Sequence, residues 1–307
     1  MSGADVSPVG VGVVGVRPGQ AEGILADLPC GDLFRLVAFS DEYLDGPRPE
    51  ERPVTYYPDY HLLLQDPDVE LVLIDGPPAD RRDAAVRALN AGRHVVLAPP
   101  FGESAADGER ILKTARRAGL LATMPLPWRD EPDLAAALAA LGSLPAAPLH
   151  GILAAWSVAD FPEAGPDAIE AAGLRVLDQL NLLARADVAS VAAHVVTGRA
   201  DAMLYLPLRG GAWIVAHLAR IQPPGTPRFV IARPDATIAV AGGSAAVHSP
   251  EGLTAVRAPA PVDFWANLHA AVRGAAEPKC HPVDIVRAMK LHEAALASAR
   301  DGEPASV

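Results

Sequence analysis

Arg175 and Asp178 form a pair of oppositely charged residues whose spacing could serve chemistry. They stand three positions apart in a segment, 168–183, whose pattern predicts a long helix, so both side chains share one helical face. A guanidinium stays protonated at neutral pH and is a poor general base, but it anchors a carboxylate or phosphate well. Two interpretations are open: a solvated ion pair worth under about 1 kcal/mol, or a clamp for a substrate.

A second candidate site follows the first apolar run of the chain. A dinucleotide-binding loop needs one glycine for the turn, one for close approach of the pyrophosphate and one for packing of helix on strand. Gly15 supplies the first, Arg17 stands at the second position, and Pro18 removes a backbone N–H. Gly19 offers a shifted register, and Asp41 stands where an acid could bind a ribose hydroxyl. An ordinary strand-to-helix turn with a solvated aspartate explains the same residues.

Strands alternate with helices over the first 123 residues. The predicted strands are 9–16, 33–40, 71–75, 94–97 and 120–124, and the predicted helices are 20–28, 84–91 and 103–118, with Ser104 as a candidate N-cap. This alternation implies right-handed βαβ units and a parallel sheet covered on both faces. We therefore predict an α/β, Rossmann-type domain over residues 1–123.

The pattern changes after residue 123 to short strands at hairpin spacing. Predicted strands lie at 150–157, 188–196, 202–208, 212–219, 228–232, 237–241 and 245–249, and predicted helices at 133–141, 168–183, 262–274 and 282–301. We predict an α+β domain over 124–307, with a large, mostly antiparallel sheet and a closing helix that could pack across both domains.

Charge and composition restrict the partners. The net charge of −11 and the pI near 5.2 argue against nucleic acid and against an anionic membrane surface, which leaves a small molecule as the expected ligand. Two cysteines, Cys30 and Cys280, are too few for a disulfide framework and lack the spacing of metal ligands. No basic, apolar leader and no apolar run of membrane-spanning length is present, so we expect a cytoplasmic protein without a metal.

Several motifs together resemble the Gfo/Idh/MocA family of nicotinamide-dependent oxidoreductases. The motifs, in chain order, are the VGVVG opening, Tyr57-Pro58-Asp59-Tyr60, Asp66-Pro67-Asp68-Val69-Glu70, Gly92-Arg93-His94-Val95 and the closing His292-Glu293-Ala294-Ala295. The resemblance covers nearly the whole chain and implies NAD or NADP as the cofactor, if one binds. It also implies self-association through the outer face of the second-domain sheet, so we expect a homo-oligomer.

The positions that carry the family's chemistry differ in this chain. Family members end the fourth strand in Glu-Lys-Pro, whose lysine handles a proton, whereas here Pro99 stands at the lysine position. Proline has no titratable group and no N–H, so it cannot replace that lysine. After the third strand, family members have a Thr-Pro-Asn segment followed by a histidine. In this chain only Pro77 matches that segment, and Arg81 stands at the position of the histidine.

The resemblance also marks positions in the second domain. An aspartate and a histidine one turn apart in family members correspond here to Ala171 and Arg175. At the exit of the fifth strand the chain retains Arg129 and places Trp128 beside it. Trp128 and Trp156 could wall an apolar pocket or serve as core packing. Arg175, Asp178 and Arg129 are thus the candidate catalytic residues, with Pro99 and the two tryptophans in the candidate substrate pocket.

Three functions are compatible with this sequence. The first is a repurposed enzyme that binds a small molecule in the cleft between the domains and promotes a non-redox reaction, such as a cyclisation or rearrangement, by positioning alone. The second is a non-catalytic ligand sensor or scaffold. The third is an NAD(P)-dependent oxidoreductase with displaced catalytic groups.

Overall fold

The computed structural model describes residues 7–15, 28–40, 54–157, 168–196, 201–219, 222–223 and 225–307. The chain divides into two compact units. The first unit comprises Met1–Leu126 and Val262–Val286, and the second comprises Pro127–Pro261 and Arg287–Val307. The division differs from the contiguous domains expected from the sequence, since residues 262–286 return to the first unit.

The first unit is built on a six-stranded parallel sheet. Its strands are β1 (Val9–Val14), β2 (Phe34–Ser40), β3 (Thr55–Tyr56), β4 (Leu71–Ile74), β5 (His94–Leu97) and β6 (Ala122–Thr123). They lie in the order β3-β2-β1-β4-β5-β6, and each neighbouring pair is parallel. β1 and β4 are buried along their whole length, as expected for a sheet covered on both faces. The predicted Rossmann-type fold is confirmed.

Three helices of the first unit connect these strands, namely α1 (Tyr60–Leu63), α2 (Pro78–Asn90) and α3 (Ala105–Ala118). α2 begins six residues before the predicted start at 84, because a proline at the first helical position loses no hydrogen bond. The Ser104 side chain accepts a hydrogen bond from the Asp107 N–H at 3.2 Å, which confirms the predicted N-cap of α3.

The returning segment contains α6 (Phe264–Val272), which packs on the first sheet. Trp265 and Leu268 belong to the same buried cluster as β1 and β2, and the Trp265 ring meets the Phe34 ring edge-on at 5.8 Å. Burial of these large side chains explains why the segment belongs to the first unit. Nothing in the apolar pattern of the sequence specifies which of two cores a late helix will join.

The second unit is built on a nine-stranded, mostly antiparallel sheet. Its strands are β7 (Gly151–Ser157), β8 (Ser190–Val196), β9 (Asp201–Pro207), β10 (Trp213–Ala219), β11 (Phe229–Ala232), β12 (Thr237–Ala241), β13 (Ser244–Ser249), β14 (Gly252–Arg257) and β15 (Ala305–Ser306). The order is β14-β13-β12-β11-β7-β10-β9-β8-β15. β7 and β10 pair in parallel and the other described pairs are antiparallel, which confirms the predicted second sheet.

Helices cover one face of this sheet. They are the 3-10 helix Pro127–Asp130, α4 (Pro132–Ser143), α5 (Ala168–Ala184) and α7 (Pro282–Asp301). Alternate strand residues point into the core beneath these helices. On the opposite face of the sheet, Leu153, Met203, Tyr205 and Trp213 are between 36% and 49% exposed.

Candidate functional site

The first unit has a pocket of about 240 Å³ at the carboxyl ends of its central strands, which we call the exit pocket. Its described lining comes from the ends of β1, β2 and β4, from Tyr60 and from the first turns of α2. The lining residues are Val14, Gly15, Ser40, Tyr60, Ile74, Gly76, Pro77, Asp80, Arg81, Asp83, Ala84 and Arg87. Open α/β sheets bind their ligands at this edge, so the pocket is the candidate ligand site of the first unit.

Bare backbone forms one corner of the exit pocket. Gly15 has φ +82°, and a Cβ atom built on it would lie 2.7 Å from the Gly76 Cα and 2.8 Å from the Gly76 nitrogen. The ends of β1 and β4 can therefore approach this closely only because Gly15 has no side chain. Gly15 thus ends β1 with bare backbone in a left-handed conformation.

Ser40, the last residue of β2, contributes an unsatisfied hydroxyl. The residue is 1% exposed and lines the exit pocket, and its Oγ has no hydrogen-bond partner in the described part of the chain. A buried hydroxyl without a partner costs free energy, so native structures usually satisfy such a group with protein, water or ligand. A polar ligand group in the pocket would supply the missing partner.

The end of β4 carries a half-buried carboxyl group, that of Asp75. Burial raises the pKa of the Asp75 carboxyl above its ordinary value, and the nearby Arg81 guanidinium opposes that rise. Arg81 is itself 7% exposed and donates to the carbonyls of Gly76, Ala98 and Pro100 at 2.7, 2.9 and 2.7 Å. Arg81 therefore ties the end of β4 to the end of β5.

The remaining predicted residues of the first unit are placed as follows. Pro77 lines the exit pocket as the N-cap of α2, and Pro99 is exposed after β5. Arg17, Gly19 and Asp41 lie outside the described residues. Gly15 and Pro77, two of the predicted cofactor-binding residues, thus line one pocket, and the lysine position offers no titratable group.

A buried polar cluster in the second unit centres on Asp178 of α5, and we call it the Asp178 cluster. Asp178 is 1% exposed and accepts hydrogen bonds from Arg129 Nε at 2.9 Å, Arg129 Nη2 at 2.5 Å and Trp128 Nε1 at 2.8 Å. Gln179 also donates to the Trp128 carbonyl at 3.0 Å. Two-point binding of a carboxylate by a guanidinium is strong and directional, so the cluster fastens the 3-10 helix to α5.

The cluster corrects the predicted pairing of Arg175 with Asp178. Arg175 instead pairs with Glu131, at 2.6 Å between Nη2 and Oε1, and these side chains are 27% and 22% exposed. Helical spacing allows a contact with Asp178, but Arg129 already occupies both carboxylate oxygens. Arg129 and Arg175 each form an ion pair, and a guanidinium is in any case a poor general base.

Trp156 lies in the core of the second unit. It is 0% exposed, and the Phe229 ring packs edge-on against it at 5.6 Å between centroids. The Arg228 guanidinium lies 5.5 Å from the centre of its ring. Of the two interpretations of Trp156, core packing fits this position. Trp128 is half-buried in the 3-10 helix and donates to Asp178.

Sequence reasoning did not select Ser40, Asp75 or Glu131. Asp75 carried a signal, as an acid at the end of the apolar strand LVLID, and Ser40 stood next to the selected Asp41. Arg81 was noted for the family's histidine position, but its three acceptors are main-chain carbonyls that no residue pattern identifies. Among the described residues there is no cluster of His, Cys, Asp or Glu able to hold a metal ion, and no helix long and apolar enough to cross a membrane.

Comparisons with known proteins agree with this fold. Residues 9–125 match the family model GFO_IDH_MocA, described as an oxidoreductase family with an NAD-binding Rossmann fold. Inositol 2-dehydrogenase of Salmonella typhimurium is 40% identical over 63 residues, which are 20% of this chain and 19% of that protein. A dTDP-3,4-didehydro-2,6-dideoxy-alpha-D-glucose 3-reductase of Actinomadura kijaniata is 32% identical over 123 residues, which are 38% of this chain and 36% of that enzyme. The matches thus span about a fifth to a third of these curated relatives.

Solved structures extend the likeness to both units. An oxidoreductase from Agrobacterium radiobacter, solved with NAD+, L-tartaric acid and magnesium, superposes with a TM-score of 0.73 at 19% identity and covers 98% of each chain. At this identity the likeness shows the fold, with its parallel first sheet and its large second sheet.

Proposed function

We propose that this member of the Gfo/Idh/MocA oxidoreductase family binds NAD or NADP in the exit pocket of its first unit and acts on a small polar molecule. The observation that carries the proposal is the unsatisfied Ser40 hydroxyl beside the bare Gly15 corner. The family model supports it, because its match covers the strands that form the pocket. Two features of the described residues fit a cofactor, namely the unsatisfied hydroxyl of Ser40 and the bare backbone of Gly15.

Three pocket residues, Gly15, Gly76 and Ser40, and the neighbouring Asp75 at the end of β4 each have a definite task in this proposal. Gly15 and Gly76 let the ends of β1 and β4 close on each other at the pocket, and Ser40 donates a hydrogen bond to a ligand oxygen. The cofactor supplies hydride transfer when it is bound. Since Pro99 cannot handle a proton, we assign that task to Asp75, whose raised pKa moves it toward the range of a useful acid or base.

A fluorescence titration with NADH and NADPH tests the proposal, using Ser40→Ala as the variant. Loss of one hydrogen bond to the ligand should raise the dissociation constant about three- to tenfold. The matched control is Ser298→Ala, which removes another buried serine hydroxyl, that of Ser298 in the second unit. Absence of binding at millimolar cofactor, or equal affinity of Ser40→Ala and the wild type, would contradict the proposal.

A second candidate function is a non-redox enzyme, a repurposed family member that promotes a cyclisation or rearrangement of a bound small molecule. The observation in its favour is Pro99, which leaves an exposed position without acid or base where the family's lysine stands. A protein that binds a small molecule and turns it over with no change in NADH absorbance would support this candidate. Ligand binding without any turnover would instead favour a sensor or scaffold.

We also propose that the chain self-associates through the outer face of the second sheet. Strand pairing places Tyr205, Val215 and Leu153 side by side on neighbouring strands of this face, with Tyr205 and Leu153 46% and 47% exposed. Exposed apolar patches of this kind are typical of interfaces. Light scattering after chromatography should show a smaller mass for Tyr205→Glu. Leu62→Glu, a change at a leucine 46% exposed in the first unit, is the control.

The same family and composition support a cytoplasmic location. Neither cysteine forms a disulfide, and Cys30 is exposed whereas Cys280 is buried. Free thiols are typical of a reducing compartment, whereas secreted domains commonly pair their cysteines. Cell fractionation of the untagged protein tests the location, and recovery outside the cytoplasmic fraction would contradict it.

A further inference from the structure

Two histidines and a methionine lie side by side on the outer face of the second sheet. Met203 of β9 is paired with His194 of β8 on one side and with His217 of β10 on the other. Directly paired residues of antiparallel strands point to the same face of a sheet, and all three residues are exposed. We call them the His-Met-His row. Imidazole and thioether groups are both metal ligands, so the row is a candidate metal site.

The spacing of the row allows its three side chains to share one ion. Cβ atoms of directly paired residues lie about 5 Å apart, so the Cβ atom of Met203 is about 5 Å from that of each histidine. The imidazoles flank the thioether and extend beyond their Cβ atoms, so a nitrogen of each ring can turn toward the Met203 sulfur. Because the residues are exposed, the rings can turn without displacing the core.

The row lies on the wall of a pocket of about 480 Å³, which gives an ion a path to it. The described lining contains no lysine or arginine, and it includes the acidic residues Asp201 and Glu303. No cationic side chain of this lining therefore opposes a metal ion. The row is not one of the clusters built from His, Cys, Asp and Glu alone, because its third donor is a thioether. The expectation of a protein without a metal rested on the cysteines, and the row contains none.

We propose that the His-Met-His row binds one Cu(I) ion through its two imidazoles and its thioether. Thioethers are soft ligands that favour Cu(I), and imidazole also binds copper. Zinc sites use thiolate, imidazole and carboxylate ligands, so the thioether makes this set less suited to Zn²⁺. All three ligands belong to one chain, so the site requires neither a bound cofactor nor self-association.

The test is a competition titration against the Cu(I) chelator bicinchoninate, without oxygen, on the full chain. Every protein in the test carries Cys30→Ser, because Cys30 is an exposed thiol and thiolates also bind Cu(I). We expect one Cu(I) per chain. His217→Asn and Met203→Leu should each weaken binding at least about tenfold, since loss of a group behind a ligand already costs about ten- to hundredfold. Leucine has nearly the volume of methionine, so Met203→Leu removes little besides the sulfur.

The matched control is His248→Asn. His248 is another exposed histidine of the second sheet, but its paired residues are Thr237 and Leu253, which have neither a thioether nor an imidazole. Its loss should leave the affinity unchanged. Equal weakening by His248→Asn and His217→Asn would overturn the proposal, and so would a protein that takes no Cu(I) from the chelator. All of these variants change exposed side chains, so the core stays intact.

X-ray absorption at the copper edge gives a readout that is independent of affinity. The bound ion should have one sulfur and two nitrogen neighbours, and the sulfur should disappear in Met203→Leu. A bound ion without a sulfur neighbour, or with a sulfur that persists in Met203→Leu, would overturn the proposal.

Discussion

Asp178 in the second unit and Ser40 in the exit pocket of the first unit are both buried polar residues, but their hydrogen bonding differs. Asp178 receives three hydrogen bonds from Arg129 and Trp128, so its carboxylate is complete without a ligand. Ser40 is equally buried, yet its hydroxyl has no partner in the described part of the chain. A carboxylate that the protein itself saturates stabilises the fold, whereas an unsatisfied hydroxyl on the wall of a pocket is available to a ligand.

This contrast changes the roles of the residues that the sequence suggested. Arg129 and Asp178 were candidate catalytic residues, but the guanidinium and the carboxylate are bound to each other. Their arrangement fits a structural link between the 3-10 helix and α5. The exit pocket offers the opposite, namely space, bare backbone and an unsatisfied hydroxyl. Four matched pairs of substitutions test the contrast, beginning with the largest expected effect.

Asp178→Ala should lower the free energy of unfolding by about 3–5 kcal/mol, because it leaves a buried guanidinium without its carboxylate. Arg233 provides the matched control. It is 8% exposed and binds Asp235 by two hydrogen bonds, but the Asp235 side chain is 37% exposed. Asp235→Ala should therefore cost about 1 kcal/mol or less. Urea unfolding measures the free energy of unfolding of both variants. Equal losses would show that the buried pair of Arg129 and Asp178 stabilises the protein no more than the partly exposed pair of Arg233 and Asp235.

Gly15→Ala should cost about 2 kcal/mol or more, since it adds strain at φ +82° and a clash with the main chain of Gly76. Gly92 has the same φ, +82°, but a Cβ atom added to it would meet no other atom within 4 Å. Gly92→Ala therefore carries the strain without the clash and should cost about 1 kcal/mol. The difference between the two variants in urea unfolding isolates the close approach of β1 and β4. Equal losses of stability would mean that the main chain at Gly15 and Gly76 shifts to accommodate the added methyl group at little cost.

The fold could be predicted from the sequence because burial on both faces gives each sheet a distinct pattern. Continuous apolar runs such as β4 indicated the parallel sheet, and hairpin spacing indicated the antiparallel one. Short elements such as β3 and α1 were missed, since two to four residues carry no period. The exposed edge strand β14 was missed because it has no buried face to generate an alternation.

The candidate site was less predictable, because its contacts join residues far apart in the chain. Arg129 and Asp178 are 49 positions apart, and only the fold brings them together. Helical spacing instead suggested Arg175, which the structure pairs with Glu131. A sequence also does not show whether a buried polar group such as the Ser40 hydroxyl has a hydrogen-bond partner, because that depends on every atom around it.

Ser298→Ala should cost about 1 kcal/mol, whereas Ser40→Ala should leave stability unchanged or raise it slightly. Both serines are at least 98% buried, but the Ser298 Oγ accepts from the Ala193 N–H at 3.0 Å and the Ser40 Oγ has no described partner. Removing Ser298 leaves an N–H unpaired, and removing Ser40 removes an unsatisfied group. Thermal unfolding without ligand measures both. An equal loss of stability in the two variants would mean that the Ser40 hydroxyl has a hydrogen-bond partner in the protein.

Asp75→Asn should have the smallest effect, and it depends on pH. Since burial raises the pKa of Asp75, its contribution to stability is present below the ordinary carboxyl value of 3.8 and is lost as the pH rises through the raised pKa. The variant lacks this loss, so its stability relative to wild type should increase as the pH rises above the ordinary carboxyl value of 3.8. Asp83→Asn should change in the opposite direction, because Arg82 lowers the pKa of Asp83. A pH-independent difference for Asp75→Asn, followed by thermal unfolding, would mean that attraction to Arg81 balances burial and that this carboxyl is unsuited to the proton transfer assigned to it.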